Sequence, residues 1–277
     1  SLASRYQAPV LLAAVSVHSN STVFMARIGT DPETRLAVKC CHVPGTSEPN
    51  RQIATEQFNA FTKLDGVFSA STPQFRVPAV VFLDLSLAAI GMRWVDGESL
   101  TKRLASSFAA PRIAPSMEKA GAWLGHFHRL GPLREGHFNY GERHDYVARM
   151  AAQPLAQAVF SRGARLLAES RHLVEAQPVR YTCLHGDCKC DNIFFADAAT
   201  FGIDISIAHE NCVEHDLAQF LNHLDLLLLR PGFLHVIAFR PLIEAAFWKG
   251  YRNTGPEVSP ACLAWVRLWA LLGLWQT

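Results

Sequence analysis

The sequence has little excess charge of either sign, which limits the partners that it could recognise by electrostatics alone. Its 277 residues include 26 Lys and Arg against 24 Asp and Glu, so the formal net charge is +2. Proteins that bind nucleic acid favour a strongly basic face, and this balance gives no argument for one. We therefore expect no nucleic-acid partner.

Long apolar runs are also scarce, which argues against a membrane partner. The stretch 221–229 is broken by three polar residues, and the stretch 261–275 is short and carries Arg267. Neither reads as an uninterrupted membrane span, and the first residues do not resemble a secretory signal peptide. The seven cysteines are an odd number in a chain too large to depend on disulfides, so we expect a reduced, cytoplasmic setting.

Apolar residues in general are plentiful enough for a sizeable core. Hydrophobic types make up 49% of the chain and charged types 18%, which excludes a disordered protein. The predicted strands cover residues 10–15, 22–28, 36–41, 77–83, 90–95, 193–195 and 200–203, and the clearest predicted helices cover residues 50–64, 120–130 and 147–172. This order predicts an α+β fold with a small β-rich lobe at residues 1–95, a linker near residues 92–97, and a larger, mainly helical lobe at residues 96–277.

The most informative motif lies directly before one of the short predicted strands. His185, Gly186 and Asp187 are followed, after four more residues, by Asn192, and Asp204 follows twelve residues later at the end of the next apolar strand. By average residue usage the first part of this pattern should occur by chance in roughly one chain of this length in a thousand. The motif resembles the catalytic and metal-binding loops of the aminoglycoside phosphotransferase and choline kinase family, which are relatives of the protein kinases.

The resemblance implies a bilobal, protein-kinase-like fold and a reaction. The first lobe would bind ATP, and the second would carry the catalytic loop and the acceptor. The family reaction moves the γ-phosphate of ATP to a hydroxyl group of a small molecule, such as an aminoglycoside, an amino alcohol or a sugar-like compound, with two Mg²⁺ ions as cofactors.

The chemistry of phosphoryl transfer explains the residue types in the motif. Asp187 would orient the acceptor hydroxyl and accept its proton. Asn192 and Asp204 would supply the amide and carboxylate oxygens that Mg²⁺ prefers. Lys189 differs from the residue that most small-molecule members of the family carry at this place. It either contacts the γ-phosphate or is solvated, and the sequence leaves both possibilities open.

The residues before the motif occur in the order expected for the ATP site of this family. Lys39 ends a predicted strand, and Glu56 lies 17 residues later on a predicted helix. In the family such a Lys holds the α- and β-phosphates and pairs with the Glu, although a surface Lys and a surface Glu would be the simpler interpretation of these two residues alone. The other expected nucleotide contacts are the phosphate loop and the main chain of the hinge, at Ser19, Asn20, Ser21, Met92, Trp94 and Val95.

Further polar residues near the motif are expected to be structural. We expect His185 to bond the backbone near Asp204, and Asp216 to act as a helix cap or structural partner. Cys188 and Cys190 would fill gaps beside the loop, where their oxidation would affect the enzyme.

Three alternatives compete with the kinase interpretation. A nucleotide-binding module without catalytic activity could share the fold, but it would need no base at Asp187. A structural zinc site could use Cys183, His185, Cys188 and Cys190, although the single-residue spacings are unusual for zinc. A hydrolase with a Cys–His nucleophile has no supporting motif, and free cysteine is commonly a small buried hydrophobe.

Overall fold

The computed structural model describes residues 10–17, 20–29, 35–141, 158–196, 199–206 and 210–274. Its contacts divide the chain into two compact units. The first is Ser1–Gly97 with Ala196–Ile203, and the second is Glu98–Phe195 with Asp204–Thr277.

The strands are numbered in chain order. They are β1 (Val10–Val17), β2 (Ser21–Ile28), β3 (Arg35–Cys41), β4 (Phe75–Arg76), β5 (Val80–Asp84), β6 (Ala89–Arg93), β7 (Glu98–Ser99), β8 (Arg134–His137), β9 (Pro178–Cys183), β10 (Ile193–Ala196), β11 (Ala199–Gly202) and β12 (Glu210–Cys212). The helices are α1 (Arg51–Ser71), α2 (Leu100–Ser106), α3 (Ala110–Leu130), α4 (Ala158–Glu169), α5 (Arg171–Val174), α6 (Glu214–Leu228), α7 (Leu234–Ile237), α8 (Arg240–Thr254) and α9 (Pro260–Leu274). Two 3-10 turns cover Cys190–Asn192 and Pro231–Phe233.

The first unit is built on a five-stranded antiparallel sheet in the order β1-β2-β3-β6-β5. Its core uses the period-two alternation of the strands, with Ala26 and Ile28 on β2 beside Leu36 and Val38 on β3. Lys39 follows Val38, so its Cβ atom points to the opposite face of the strand. The predicted strands of this unit are confirmed, with bounds that differ by a few residues.

Helix α1 packs beside this sheet. The side chain of Asn50 accepts a hydrogen bond from the N–H of Ile53 and so caps the first turn. Ala54, Phe61 and Phe68 recur every seven residues and are buried on one face. The helix predicted at residues 50–64 is confirmed, and it continues to Ser71 because Phe68 extends the apolar face.

The second unit is mainly helical, as the sequence predicts. Strand β7 pairs with β10, and the side chain of Ser99 caps α2 by accepting the N–H of Lys102. The predicted helix at residues 120–130 is the second half of α3. The helix predicted at residues 147–172 lies partly outside the described residues, and its described part is divided into α4 and α5 at Ser170.

The sequence did not predict the three-stranded antiparallel sheet β12-β9-β8. These strands are short and carry polar residues such as Arg134 and Glu210, which form an ion pair across the sheet. Their pairing is long-range, so local pattern gives little signal. This sheet matters for the site because β9 leads directly into the 185–192 segment. None of the helices in the described ranges combines the length and the apolar character needed to span a bilayer.

Helices α3 and α8 approach each other so closely that glycine is required at their contact. A Cβ atom on Gly250 would lie 1.9 Å from the carbonyl oxygen of Glu118, whereas a Cβ on Gly66 in α1 would meet no atom within 4 Å. We expect Gly250→Ala to lower the free energy of unfolding by about 2–3 kcal/mol through overpacking. The matched variant Gly66→Ala should raise it by about 0.5–1 kcal/mol, because alanine favours the helix. Chemical denaturation measures both changes, and equal effects would contradict the close contact.

Candidate active site

The segment 184–192 forms a loop between β9 and β10 whose path depends on a glycine. Gly186 has a φ of +80°, a region that L-residues with side chains rarely adopt. A Cβ at this position would also lie 3.0 Å from the carbonyl oxygen of Ser206. The N–H of Ser206 donates to the carbonyl oxygen of His185 at 2.7 Å, which fastens the segment after Asp204 to this loop.

Asp187 lies at the centre of the loop and is held by two donors. Its Oδ2 accepts a hydrogen bond from Lys189 Nζ at 2.6 Å and another from Asn192 Nδ2 at 3.1 Å. Asn192 Nδ2 also donates to the main-chain oxygen of Asp187 at 2.8 Å. Among the described residues no hydrogen bond engages Oδ1, and the Asp187 side chain is 41% exposed. The loop therefore presents one carboxylate oxygen while it fixes the other.

Asn192 and Asp204 have the oxygen atoms that a divalent cation requires. Asn192 is buried, and because its amide nitrogen is used by Asp187, its Oδ1 is the atom left to act as a ligand. Asp204 follows β11, is partly buried, and has a φ of +55°. Magnesium is commonly bound by one or two carboxylates together with substrate phosphates, and this small oxygen donor set fits that pattern.

His185 supports the loop from the protein interior as a neutral side chain. It is fully buried against the rings of Trp123 and Phe127. Burial lowers the pKa of its imidazole and outweighs the raising effect of nearby carboxylates, the strongest of which is Asp216. Its Nδ1 accepts the N–H of Asp187 at 3.3 Å. The expected bond from His185 to the backbone near Asp204 is present, but it is made by the His185 carbonyl oxygen, which accepts the N–H of Ser206, and the ring bonds the N–H of Asp187 instead.

Asp216, in the first turn of α6, anchors the start of the loop. Its carboxylate is fully buried and accepts the N–H groups of His185 at 2.7 Å and Gly186 at 3.0 Å. His128 Nε2 is 3.0 Å from the same carboxylate, and His128 Nδ1 is 2.9 Å from the Tyr251 hydroxyl. The structural role expected for Asp216 is confirmed, although Val213, and not Asp216, is the N-cap of α6.

Opposing effects act on the Asp216 carboxyl group. Burial raises its pKa, but the hydrogen bond and charge of His128 and the loop N–H groups outweigh burial, so the pKa lies below its usual range. His128 and Tyr251 come from α3 and α8. The contact of His128 with Asp216 could not be predicted from the sequence, because no local motif connects His128 with the loop.

The cysteines around the loop are protected. Cys188 and Cys190 are buried, and burial raises the pKa of both thiols. The two side chains fill space beside the loop as expected, and because a protonated, buried thiol reacts slowly, their burial argues against the expected sensitivity to oxidation. Within the described part of the chain, no group of three or more His, Cys, Asp or Glu side chains is arranged to hold a metal ion, and the zinc interpretation gains no support.

The residues expected to bind the nucleotide belong to the first unit, whereas the catalytic loop belongs to the second. Lys39 is partly buried on β3. Glu56 is exposed on α1 and accepts a hydrogen bond from Gln52 Nε2 at 2.9 Å. The ion pair between Lys39 and Glu56 stays a prediction.

The phosphate loop and the hinge also remain predictions. Ser19 lies outside the described residues, Asn20 is exposed, and Ser21 is buried. In the hinge, Met92 is buried on β6, and Trp94 donates its N–H to the carbonyl oxygen of Arg35. The carbonyl oxygen of Val95 accepts the N–H of Gly97. Two of the main-chain groups expected near adenine, the Trp94 N–H and the Val95 carbonyl oxygen, therefore already have hydrogen-bond partners within the protein.

Comparison with known proteins identifies the family. Residues 20–237 match the model of the phosphotransferase enzyme family (APH), which covers more than half of the chain. No curated protein sequence matches significantly.

Solved structures share the fold over nearly the whole chain. A choline/ethanolamine kinase family protein from Mesorhizobium loti has a TM-score of 0.63 and 19% identity, covering 98% of this chain and 80% of that one. A glucosamine kinase in complex with glucosamine, ADP and inorganic phosphate has a TM-score of 0.63 and 14% identity, covering 98% and 76%. An aminoglycoside-3'-phosphotransferase of type VIII has a TM-score of 0.54 and 19% identity, covering 94% and 93%. The chain therefore belongs to the phosphotransferase enzyme family and shares the protein-kinase-like α+β fold of these structures.

Proposed function

We propose that this kinase transfers the γ-phosphate of ATP to a hydroxyl group of a small acceptor. The observation that carries the proposal is the Asp187 carboxylate, whose Oδ2 is fixed by Lys189 and Asn192 while no hydrogen bond within the described residues engages Oδ1. A carboxylate held in this way can orient a hydroxyl and accept its proton as the bond to phosphorus forms.

Lys189 has a place in this reaction. Its Nζ is 2.6 Å from Asp187 and its side chain is 31% exposed, which favours a role beside the reacting atoms over a purely solvated side chain. We assign Lys189 to the γ-phosphate, where its charge would stabilise the developing negative charge. The hydrogen bond to Asp187 would keep the ammonium group next to the base between turnovers.

Asn192 and Asp204 would hold Mg²⁺, with two ions expected by analogy with kinases. When bound, Mg²⁺ neutralises charge on the phosphate oxygens. The chain contributes the amide oxygen of Asn192, which the bonds to Asp187 orient, and the carboxylate of Asp204, whose segment is tied to the loop through Ser206.

ATP would be bound by the first lobe, residues 1–95, and the acceptor by the second, residues 96–277. Lys39, paired with Glu56, would hold the α- and β-phosphates. The loop of Ser19, Asn20 and Ser21 and the hinge at Met92, Trp94 and Val95 would complete the nucleotide site. The similar glucosamine kinase was solved with ADP, which supports a nucleotide at this fold.

The acceptor would be an aminoglycoside, an amino alcohol or a sugar-like compound. The proteins with similar structures are named for such compounds: choline or ethanolamine, glucosamine and aminoglycosides. All of these carry both a hydroxyl group and a nitrogen atom.

An acceptor screen tests the proposed function. We expect the protein, incubated with ATP and Mg²⁺, to release ADP faster when one compound of a panel of amino alcohols, amino sugars and aminoglycosides is added. Mass spectrometry should find that compound heavier by one phosphoryl group. If ATP binds but no member of the panel stimulates ADP release or becomes phosphorylated, the interpretation as a nucleotide-binding module without catalytic activity is favoured.

A further inference from the structure

One face of helix α6 lies along the 185–191 segment of the catalytic loop and contacts its backbone at regular intervals. Asp216, Gln219 and His223 are spaced by three and four residues, so they lie on the same face of the helix. Asp216 accepts the N–H groups at the start of the loop, as described above.

Gln219 continues this pattern next to the proposed base. Its Oε1 accepts the N–H of Cys188 at 3.3 Å, and its Nε2 donates to the carbonyl oxygen of Gly186 at 3.1 Å. These two bonds hold the peptide groups on either side of Asp187. A side-chain amide is suited to this position because it offers an acceptor and a donor at once.

His223 extends the pattern to the other end of the loop. Its Nδ1 accepts the N–H of Cys190 at 3.4 Å, and its Nε2 lies 3.3 Å from Asp191 Oδ2. Cys190 and Asp191 begin the 3-10 turn that ends at Asn192. His223 therefore braces the turn that orients the proposed metal ligand.

We propose that Gln219 and His223 are positioning residues that hold the catalytic loop against α6 and so set the placement of Asp187 and Asn192. Neither residue needs to contact the substrate for this role. The inference rests on the proposed function in one respect, since the loop is taken to carry out phosphoryl transfer. A small displacement of a reacting group can lower the rate by up to about a hundredfold.

The kinetic test compares disruptive and conservative variants. We expect Gln219→Met and His223→Leu each to lower kcat about tenfold and the double variant more, with KM for ATP and acceptor within about twofold. Gln219→Glu keeps an acceptor for Cys188, and His223→Asn can place an oxygen near the Nδ1 position, so both should recover part of the lost kcat. Leu226→Met, at an exposed position of the same helix, is the control and should match the wild type.

A second readout does not depend on turnover. Amide hydrogen exchange of the peptide that contains Cys188 and Cys190 should become roughly three- to tenfold faster in Gln219→Met and His223→Leu, because ordinary hydrogen bonds of this strength are lost. Exchange should be unchanged in Leu226→Met.

The outcomes separate this inference from the proposed function. If the wild type phosphorylates no acceptor but exchange at the loop rises as expected, the proposed function fails and the bracing role stands. If the wild type is active and neither kcat nor exchange changes in Gln219→Met and His223→Leu, the bracing role is overturned. A loss of kcat that the conservative variants do not relieve, and that follows thermal stability alone, would also overturn it.

Discussion

The Asp187→Ala variant should bind ATP as well as the wild type does and transfer phosphate about 10²–10⁴ times more slowly. The reason is that Asp187 is the carboxylate around which Lys189 and Asn192 are arranged. Alanine removes the atom that would accept the proton of the acceptor hydroxyl. Calorimetric titration measures ATP binding, and ADP formation with an active acceptor measures kcat.

Two further variants sharpen this prediction. Asp187→Asn keeps the size of the side chain but removes the base, so its kcat should be close to that of Asp187→Ala. Asp65→Asn, in helix α1, makes the same chemical change outside the loop and should retain wild-type activity. An Asp187→Asn variant that kept more than about a tenth of kcat would exclude the base role, since base catalysis is worth at least a hundredfold.

The Asp216→Ala substitution should lower the free energy of unfolding by about 3–5 kcal/mol. The substitution leaves the N–H groups of His185 and Gly186, and the imidazole of His128, without their buried acceptor. Chemical denaturation measures the loss. Glu118→Ala is the matched control, because Glu118 forms an ion pair with Lys249 at the surface. Loss of this surface ion pair should lower the free energy of unfolding by less than about 1 kcal/mol.

The stabilising effect of Asp216 should depend on pH in a defined direction. Its pKa is lower in the folded protein than in the unfolded chain, so its carboxylate stabilises the fold above the unfolded pKa, and the stabilisation is lost as pH falls through the folded pKa. The difference in unfolding free energy between the wild type and Asp216→Asn should therefore be constant well above the unfolded pKa and should shrink once the pH falls below about 4. A difference that grew on acidification would contradict the charged, hydrogen-bonded state of Asp216.

The predictable parts of the molecule are those with short-range causes. The strands of the first sheet follow period-two alternation, as at Leu36 and Val38, and helix α1 follows an apolar face that includes Phe61. The family was recognisable because the residues from His185 to Asn192 belong to one loop, whose chemistry requires fixed spacing. The strand pairing of β8, β9 and β12 escaped prediction because its partners are distant in the sequence and its side chains are largely polar.

The supporting residues of the loop escaped prediction for a related reason. Tyr251 and His128 are 123 residues apart in the sequence, and they meet because α3 and α8 pack closely at Gly121 and Gly250. Gln219 is an ordinary polar residue in the sequence, and only its position on α6 shows that it bonds the backbone beside Asp187.

The sequence by itself determined the family, the α+β fold and the residues proposed for chemistry, because a local motif and apolar periodicity depend on neighbours in the chain. Only the tertiary structure decided how that motif is supported. In the folded chain the His185 ring accepts the N–H of Asp187, the Asp216 carboxylate accepts the N–H groups at the start of the loop, and Cys188 and Cys190 are buried. These outcomes depend on hydrogen bonds and desolvation between distant segments, which come into existence only when the chain is folded. The near balance of charge in the composition likewise gave no sign that one buried carboxylate, that of Asp216, would organise the loop.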